Sequence, residues 1–347
     1  MKYEVLFFFL AMCILPTLHG DGCASTRYLG PTVSAAHGIV PAPRRVEASH
    51  NLPPLQLKQE SFKMVATLWT SILDSALDRY RAIIFTPCWG EHLSAHPVDK
   101  FHAQAQCEGP LILRELRVTV WSTTEVLAPD MDEAYNLTIN LAGGEDAESG
   151  LALITANTVW GALRGLETFS QIVQCVPTTH EYHILGAPWL VEDSPRFRHR
   201  GLLVDTSRHF LPVGTLFKIM DSMQYSKLNV LHWHIVDAQS YPAPSVTTPN
   251  LTLGAYSVTE TYSMHDLASI GEYGRQRGIR VVPEVDSPGH TAAMAAGVPE
   301  IVVCTTQTRE DGYCAENPCG QLDPSMEDTF EVTFLLLIFA SFAPDIC

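Results

Sequence analysis

The sequence predicts an α/β protein: a partial (β/α)8 TIM barrel, about its first three to four strands, preceded by an α+β domain with a mainly antiparallel sheet. Three observations carry this reading. Apolar β-branched runs end in ionisable clusters at Arg200-Gly-Leu-Leu-Val-Asp-Thr-Ser-Arg-His209, at Asn229-Val-Leu-His-Trp-His-Ile-Val-Asp237 and at Arg280-Val-Val-Pro-Glu-Val-Asp-Ser-Pro-Gly-His290. Barrels pack their inner strands and carry chemistry at the C-terminal ends in this way. Helix-period stripes separate the runs, and strand–helix–strand winding is parallel and right-handed. Upstream, two helix-period stretches flank a zone of strand-like segments. The residues from Arg200 onward number roughly 150, against about 250 for a complete barrel.

Composition supports a packed chain. Hydrophobic residues at 46% and charged residues at 17% describe a globular protein with a real core. A formal net charge of −16 argues against nucleic acid or an anionic membrane as partner, since both call for a basic face. It also suits an acidic compartment, where protonated carboxylates repel less. Residues 1–20 read as a secretory signal peptide, with Lys2 as its positive start, Val5 to Leu15 as its apolar core and Gly20 near the cleavage point. That run is too short to span a bilayer, so no membrane span is expected in the mature chain. Of nine cysteines, Cys13 leaves with the leader and eight remain in an oxidising route. Cys88 with Cys107 and Cys314 with Cys319 are local pairing candidates. The sequons Asn136-Leu-Thr and Asn250-Leu-Thr suit the same route.

The elements follow in order. Residues 21 to about 58 are rich in Pro, Ala and Gly and show no clear period. From Glu60 to Phe85, Phe62, Val65, Trp69, Ile72, Leu73, Ala76 and Tyr80 recur at helical spacing. Leu116–Val120, the alternating Leu137–Leu141 and Leu151–Ile154 are strands, with Gly143-Gly144 as a turn. Thr158–Gln174 is a second amphipathic helix with Val159, Leu163, Leu166, Ile172 and Val173 on one side. A junction rich in Pro and aromatics then leads to the first barrel strand. Leu216, Ile219, Met220 and Met223 make Gly214–Ser226 a crossover helix. The second strand is Asn229–Val236, and a Pro-rich loop follows. Ser263-Met-His-Asp266 has capping-box spacing and opens another helix carrying Leu267 and Ile270 inward. Gly278 stops it, and the third strand starts at Ile279. Thr333–Phe342 is an apolar stretch of buried-helix length.

Each strand end offers chemistry. At the first, Asp205, Arg208 and His209 follow the apolar run. An arginine fork there can hold adjacent sugar hydroxyls or a carboxylate, or can simply pair with Asp205. At the second, His232 and His234 point to one face of a strand. Such a pair begins the metal site of some amidohydrolases, and it also occurs as satisfied core histidines. At the third, Glu284 and Asp286 share a face, and Pro288-Gly289 turns the chain before His290. That arrangement serves a carboxylate–imidazole relay, or merely a capped loop.

Together these segments closely resemble the β-N-acetylhexosaminidases of glycoside hydrolase family twenty, the lysosomal type in particular. The likeness is carried by 198–209, by 227–237, by 277–290, and by Val159-Trp-Gly-Ala-Leu-Arg-Gly-Leu-Glu-Thr-Phe-Ser-Gln171, which looks like the long helix of the family's N-terminal domain. The resemblance implies a signal peptide at 1–20, an N-terminal α+β domain at 21–175, a junction at 176–197 and an incomplete catalytic barrel at 198–347. It implies that Arg208 holds hydroxyls of a terminal N-acetylhexosamine. Asp237 and His290 become a pair supporting the catalytic acid, and Asp205 and Asp286 shape the same pocket. The implied reaction is retaining and needs no metal or cofactor: the substrate's own acetamide oxygen attacks the anomeric carbon, a departure from the two-carboxylate scheme. The implied partner is a terminal glycan of a glycoconjugate, in the lysosome or outside the cell, and a homo- or heterodimer fits the family.

Two departures stand out. The family reads Asp-Asp where this chain has Asp237-Ala238. The family's catalytic Asp-Glu pair lies in a Gly-Gly-Asp-Glu segment that residues 1–347 do not contain, so the resemblance places the pair beyond Cys347. Leu322–Phe330 looks like the run-up to it, and the family places the disulfide partner of Cys304 just after that pair. General acid catalysis contributes roughly 10²–10⁴-fold, so these 347 residues alone are expected to be inactive or nearly so. The early stop suggests a truncated or alternatively spliced form. The rival readings are a metal-dependent amidohydrolase built on His232 and His234, and a non-catalytic sugar-binding or dimer-partner role using Arg208.

Overall fold

The computed structural model describes residues 38–49, 54–87, 111–140, 149–177 and 179–332. The leader, the Cys88–Cys107 pair, the Gly143-Gly144 turn and the Thr333–Phe342 stretch lie outside the described residues. So does Cys347, and the expectation that the Asp-Glu pair follows it is therefore one the described residues do not reach. Up to Asp193 the chain forms β1 (Arg45–Ala48), β2 (Leu55–Leu57), β3 (Lys63–Ala66), α1 (Ser71–Ile84), β4 (Leu111–Val120), β5 (Tyr135–Asn140), β6 (Ser149–Ala156), α2 (Val159–Ile172), β7 (Val173–Val176), β8 (Glu181–Ile184) and β9 (Trp189–Asp193). These strands make one nine-stranded sheet in the order β1-β9-β5-β6-β4-β2-β8-β7, with β3 also pairing β4.

The flanking pairings are antiparallel, but β4 runs parallel to β2, β3 and β6. The sheet is therefore mixed, yet mainly antiparallel as expected, with five of its eight pairings antiparallel. One of the parallel partners is β3, which the helical spacing of Phe62 and Val65 had hidden. With α1 as crossover between β3 and β4, the two strands must run the same way. The start of α1 is fixed by hydrogen bonds. Thr70 Oγ1 accepts the Leu73 N–H at 3.1 Å, and the Glu125 carboxylate accepts the Ile72 N–H at 2.7 Å. Trp69, expected on the helix's inner stripe, precedes this cap and is 74% exposed.

Helix α2 is capped by Thr158 and is buried at almost every position. The one-sided stripe gives way to all-round burial because α2 lies between the sheet and the second half of the molecule. Val173 and Gln174, read as its last turn, begin β7 instead. Residues 176–197, read as a junction, supply β8 and β9 to the same sheet.

The second half follows the expected order: β10 (Gly201–Asp205), α3 (Val213–Tyr225), β11 (Val230–Val236), α4 (Met264–Arg275) and β12 (Arg280–Val285). These strands form a parallel three-stranded sheet in the order β10-β11-β12. A small antiparallel pair, β13 (Val302–Val303) and β14 (Gln321–Leu322), comes later. Ser263 and Asp266 form the capping box at the start of α4. Gly278 adopts φ +66° where an added Cβ would lie 3.3 Å from Trp160, so both conformation and space favour glycine there. Leu216, Met220 and Met223 of α3 and Leu267 and Ile270 of α4 pack with Trp233, Ile235 and Val281 into one cluster. The other face of the sheet is open among the described residues, with Leu203 55% and Val282 38% exposed.

A buried polar seam joins the two halves. Glu133 accepts from Arg164 Nε at 2.8 Å, Arg200 Nη2 at 2.6 Å and Asn229 Nδ2 at 3.1 Å. Lys227 Nζ donates to Tyr135 Oη at 3.0 Å and Thr168 Oγ1 at 2.6 Å. Arg164 Nη2 reaches the Gly278 carbonyl at 2.8 Å. Arg200, Asn229 and Gly278 each precede a strand of the parallel sheet. The seam thus clamps the N-terminal ends of those strands and leaves their C-terminal ends free for a site.

Candidate active site

Register decides which side chains meet. Parallel pairing places Leu203 beside His232 and His232 beside Val282. One pleat further on, Asp205 lies beside His234 and His234 beside Glu284. Paired residues share a face, so Asp205, His234 and Glu284 form a row across the open side of the sheet, near its C-terminal edge. A register shift after His234 releases Asp237 from strand parity. The Asp237 N–H then donates to the Ser240 carbonyl at 3.2 Å, closing a tight turn that aims the carboxylate back at the row.

Asp237 is the hub. Its side chain is 1% exposed and meets Arg208 Nη2 at 2.8 Å, His234 Nε2 at 2.8 Å and His290 Nδ1 at 3.0 Å. The Ala238 N–H donates to Oδ1 at 2.5 Å. Arg208 is held from its other side by Asp205 Oδ2 at 2.7 Å, while Asp205 Oδ1 accepts the N–H groups of Ser207 and Arg208 at 3.0 Å. The loop-shaping Asp205–Arg208 ion pair that the sequence offered is therefore present. Arg208 Nε is buried and has no hydrogen-bond partner among the described residues. Glu316 lies 3.9 Å from the same guanidinium.

His232 and His234 both address Glu284 Oε2, at 2.5 Å and 3.0 Å. His234 has a carboxylate at each ring nitrogen, an arrangement that favours the doubly protonated ring. Burial pushes the His234 pKa down, but the hydrogen bonds to Glu284 and Asp237 outweigh it and the net shift is upward. Burial likewise raises Glu284, yet its hydrogen bonds from His234 and His232 bring the net value below the ordinary carboxylate range. Asp205 shifts down for the same kind of reason: burial opposes, and the hydrogen bonds from Arg208 and Ser207 prevail.

The strand-spacing argument offered Glu284 or Asp286 as the carboxylate orienting His290. The hydrogen-bonded carboxylate is Asp237, from the neighbouring strand end, and Asp286 stays 3.9 Å away. His209 is exposed and stands outside the cluster. The linking role of Glu284 and His234 was missed from sequence, although their alignment across adjacent parallel strands was the available signal. His234, Asp237 and Asp286 bring possible ligand atoms within 4.8 Å of one another. Metal ligation by His234 would have to displace a carboxylate from one of its nitrogens.

A model of the glycosyl hydrolase family 20 catalytic domain matches residues 197–339, and one described as beta-acetyl hexosaminidase like matches residues 39–172. The chain belongs to glycosyl hydrolase family 20. Among relatives, it is 43% identical over 230 residues to beta-hexosaminidase 1 of Arabidopsis thaliana, covering 66% of this chain and 41% of that one. With the human beta-hexosaminidase subunit beta the identity is 37% over 322 residues, covering 89% and 52%. The solved chitobiase of Flavobacterium johnsoniae superposes with a TM-score of 0.67 at 27% identity, covering 89% of this chain and 43% of the chitobiase. The chain spans about half the length of the curated relatives it matches. These family 20 relatives are hexosaminidases, which leaves the amidohydrolase reading of His232 and His234 unsupported.

Among the described residues, no helix is long and apolar enough to cross a membrane. The Cys314–Cys319 disulfide is present, and Cys304 is free among the described residues. Asn136 and Asn250 are both exposed.

Proposed function

We propose that this family 20 chain supplies the sugar-holding and supporting side of an exo-β-N-acetylhexosaminidase, acting on terminal N-acetylglucosamine or N-acetylgalactosamine of glycoconjugates. The observation that carries it is the meeting of Arg208, Asp237 and His290 at the C-terminal ends of neighbouring parallel strands. Arg208 would donate to ring hydroxyls, held in place by Asp205 and Asp237. Asp237 and His290 would back the catalytic acid, and Asp286 would close the pocket wall. The three parallel strands are the opening part of a (β/α)8 barrel whose open face its later strands would cover. We place the domain boundary after β9, because that strand belongs to the first sheet.

In the proposed reaction the acetamide oxygen attacks the anomeric carbon while a carboxylic acid protonates the departing oxygen. The oxazoline-type intermediate is then opened by water. The Asp-Glu pair this requires is not in residues 1–347, and the proposal assigns it to sequence following Cys347. A secretory, lysosomal or extracellular setting is supported by the leader pattern, the exposed sequons and the disulfide. A homo- or heterodimer is part of the same reading.

The test is release of chromophore from an aryl N-acetylglucosaminide. This chain would be assayed beside a form extended through the remaining barrel strands. The extended form should turn over, Arg208→Ala in it should lose most activity, and the 347-residue chain should be silent. An extended form that leaves the glycoside intact would end the proposal.

A further inference from the structure

A groove of about 690 Å³ opens between α1 and α4 on the helical side of the molecule, away from the strand ends that carry the candidate active site. Ser75 and Arg79 line it from α1, Phe217 from α3, and Ser269, Glu272 and Tyr273 from α4. Arg79 spans the two halves, since its Nη2 donates to the Gln276 carbonyl just past α4 at 2.9 Å. Its Nε is buried and has no hydrogen-bond partner among the described residues.

No carboxylate among the described residues lies within ion-pair distance of Arg79. The acidic groups nearby are already committed. Asp221 accepts from Arg277 Nε at 2.8 Å and Tyr273 Oη at 2.9 Å. Glu272 accepts from Arg275 Nε at 2.7 Å and Gln276 Nε2 at 2.6 Å. Burial, and after it the repulsion of Arg277, help hold the Arg79 pKa below the ordinary arginine value. A partly buried guanidinium with an unpartnered Nε, a like-charged neighbour and no carboxylate at ion-pair distance is short of counter-charge, which is costly.

We propose that this groove binds a tetrahedral oxyanion, a phosphate or sulfate group, on Arg79, with the hydroxyls of Ser75 and Ser269 at its edges. The planar fork of arginine matches the oxygen spacing of such groups. Because Arg79 already reaches across from α1 to the end of α4, the bound anion would tighten the contact between the two halves. This site is independent of the hexosaminidase reading, and its test needs no turnover.

The full chain is melted and titrated calorimetrically at low ionic strength with sodium phosphate and sodium sulfate, against sodium chloride at matched ionic strength. Glucose 6-phosphate is compared with glucose in the same way. The expected result is a saturable rise in melting temperature with either oxyanion. Arg79→Gln should weaken binding by about tenfold or more. Ser269→Glu, which adds an uncommitted carboxylate beside the already bonded Glu272, should abolish the response. If Arg79→Gln does not melt cooperatively, Ser269→Glu decides alone. A stronger response to glucose 6-phosphate than to phosphate assigns a sugar ester, and an equal one assigns the free ion. Absence of saturable binding, an undiminished response in these variants, or an equal response to glucose would overturn the proposal.

Discussion

His234 and Glu284 face each other across adjacent parallel strands, with Nδ1 3.0 Å from Oε2, and His234 turns its other nitrogen to Asp237 at 2.8 Å. The imidazole therefore ties the third strand end to the carboxylate that holds Arg208. One ring links two of the three strand ends.

This bridge has a defined pH window. The His234 pKa is raised in the folded state, so its contribution is complete below the unfolded value of about 6.5 and fades as pH rises through the folded value. Glu284 is depressed, so its share is present above about 4.5 and fades as pH falls through its folded value. Histidine NMR should show His234 still charged at a pH where an unperturbed imidazole is neutral, and Glu284→Gln should lower that midpoint. A His234 that titrates like a free imidazole would refute the bridge.

Asp237→Asn preserves shape and removes the charge at the hub. Hydrogen bonds to charged groups are worth roughly 1.5–3 kcal/mol, and a loss of that order is expected in urea denaturation. An unchanged midpoint would mean that Asp237 is not holding Arg208 and the two histidines.

The seam offers a stronger effect. Glu133 is 2% exposed and neutralises Arg164, itself 3% exposed, together with Arg200. Glu133→Gln leaves those buried guanidiniums without their carboxylate, and breaking a buried pair in this way costs roughly 3–5 kcal/mol. Limited proteolysis should then cut between β9 and β10 faster than in the parent chain.

Gly161 of α2 has no room for a methyl group, because a Cβ would lie 2.3 Å from the Ala134 carbonyl oxygen. Gly161→Ala should destabilise by about 1–3 kcal/mol despite alanine's better helix propensity. A stabilised variant in thermal melting would contradict the close packing of α2 on the sheet.

The capping box of α4 gives a smaller, acid-sensitive term. Hydrogen bonds from Ser263 hold Asp266 below its usual range, so this support exists above about pH 3.8 and is lost as pH falls through the folded value. Ser263→Ala should cost about 1 kcal/mol near neutrality in chemical denaturation. The difference from the parent should shrink in acid.

Much of this architecture was legible in the chain. The apolar runs ending in Asp205, Asp237 and His290, the stripe of Leu216, Met220 and Met223, and the Ser263–Asp266 box are local patterns. Each reports its own period or cap whatever lies around it. The same reasoning failed at Val65, which lies in β3 with Phe62 just before it, and at α2, whose surroundings bury it on all sides. Neighbours remote in sequence set both outcomes, as they did for β8 and β9 within the stretch taken for a junction.

By itself, then, the sequence determined the order of strands and helices in the second half and the residue types waiting at each strand end, because periodicity and capping act within a few residues. Only tertiary structure decided that Asp286 stays off His290, that one histidine spans Asp237 and Glu284, and that Glu133 locks the seam. Those choices depend on register across strands and on contacts between halves, where partners 50 or more residues apart compete for the same charge.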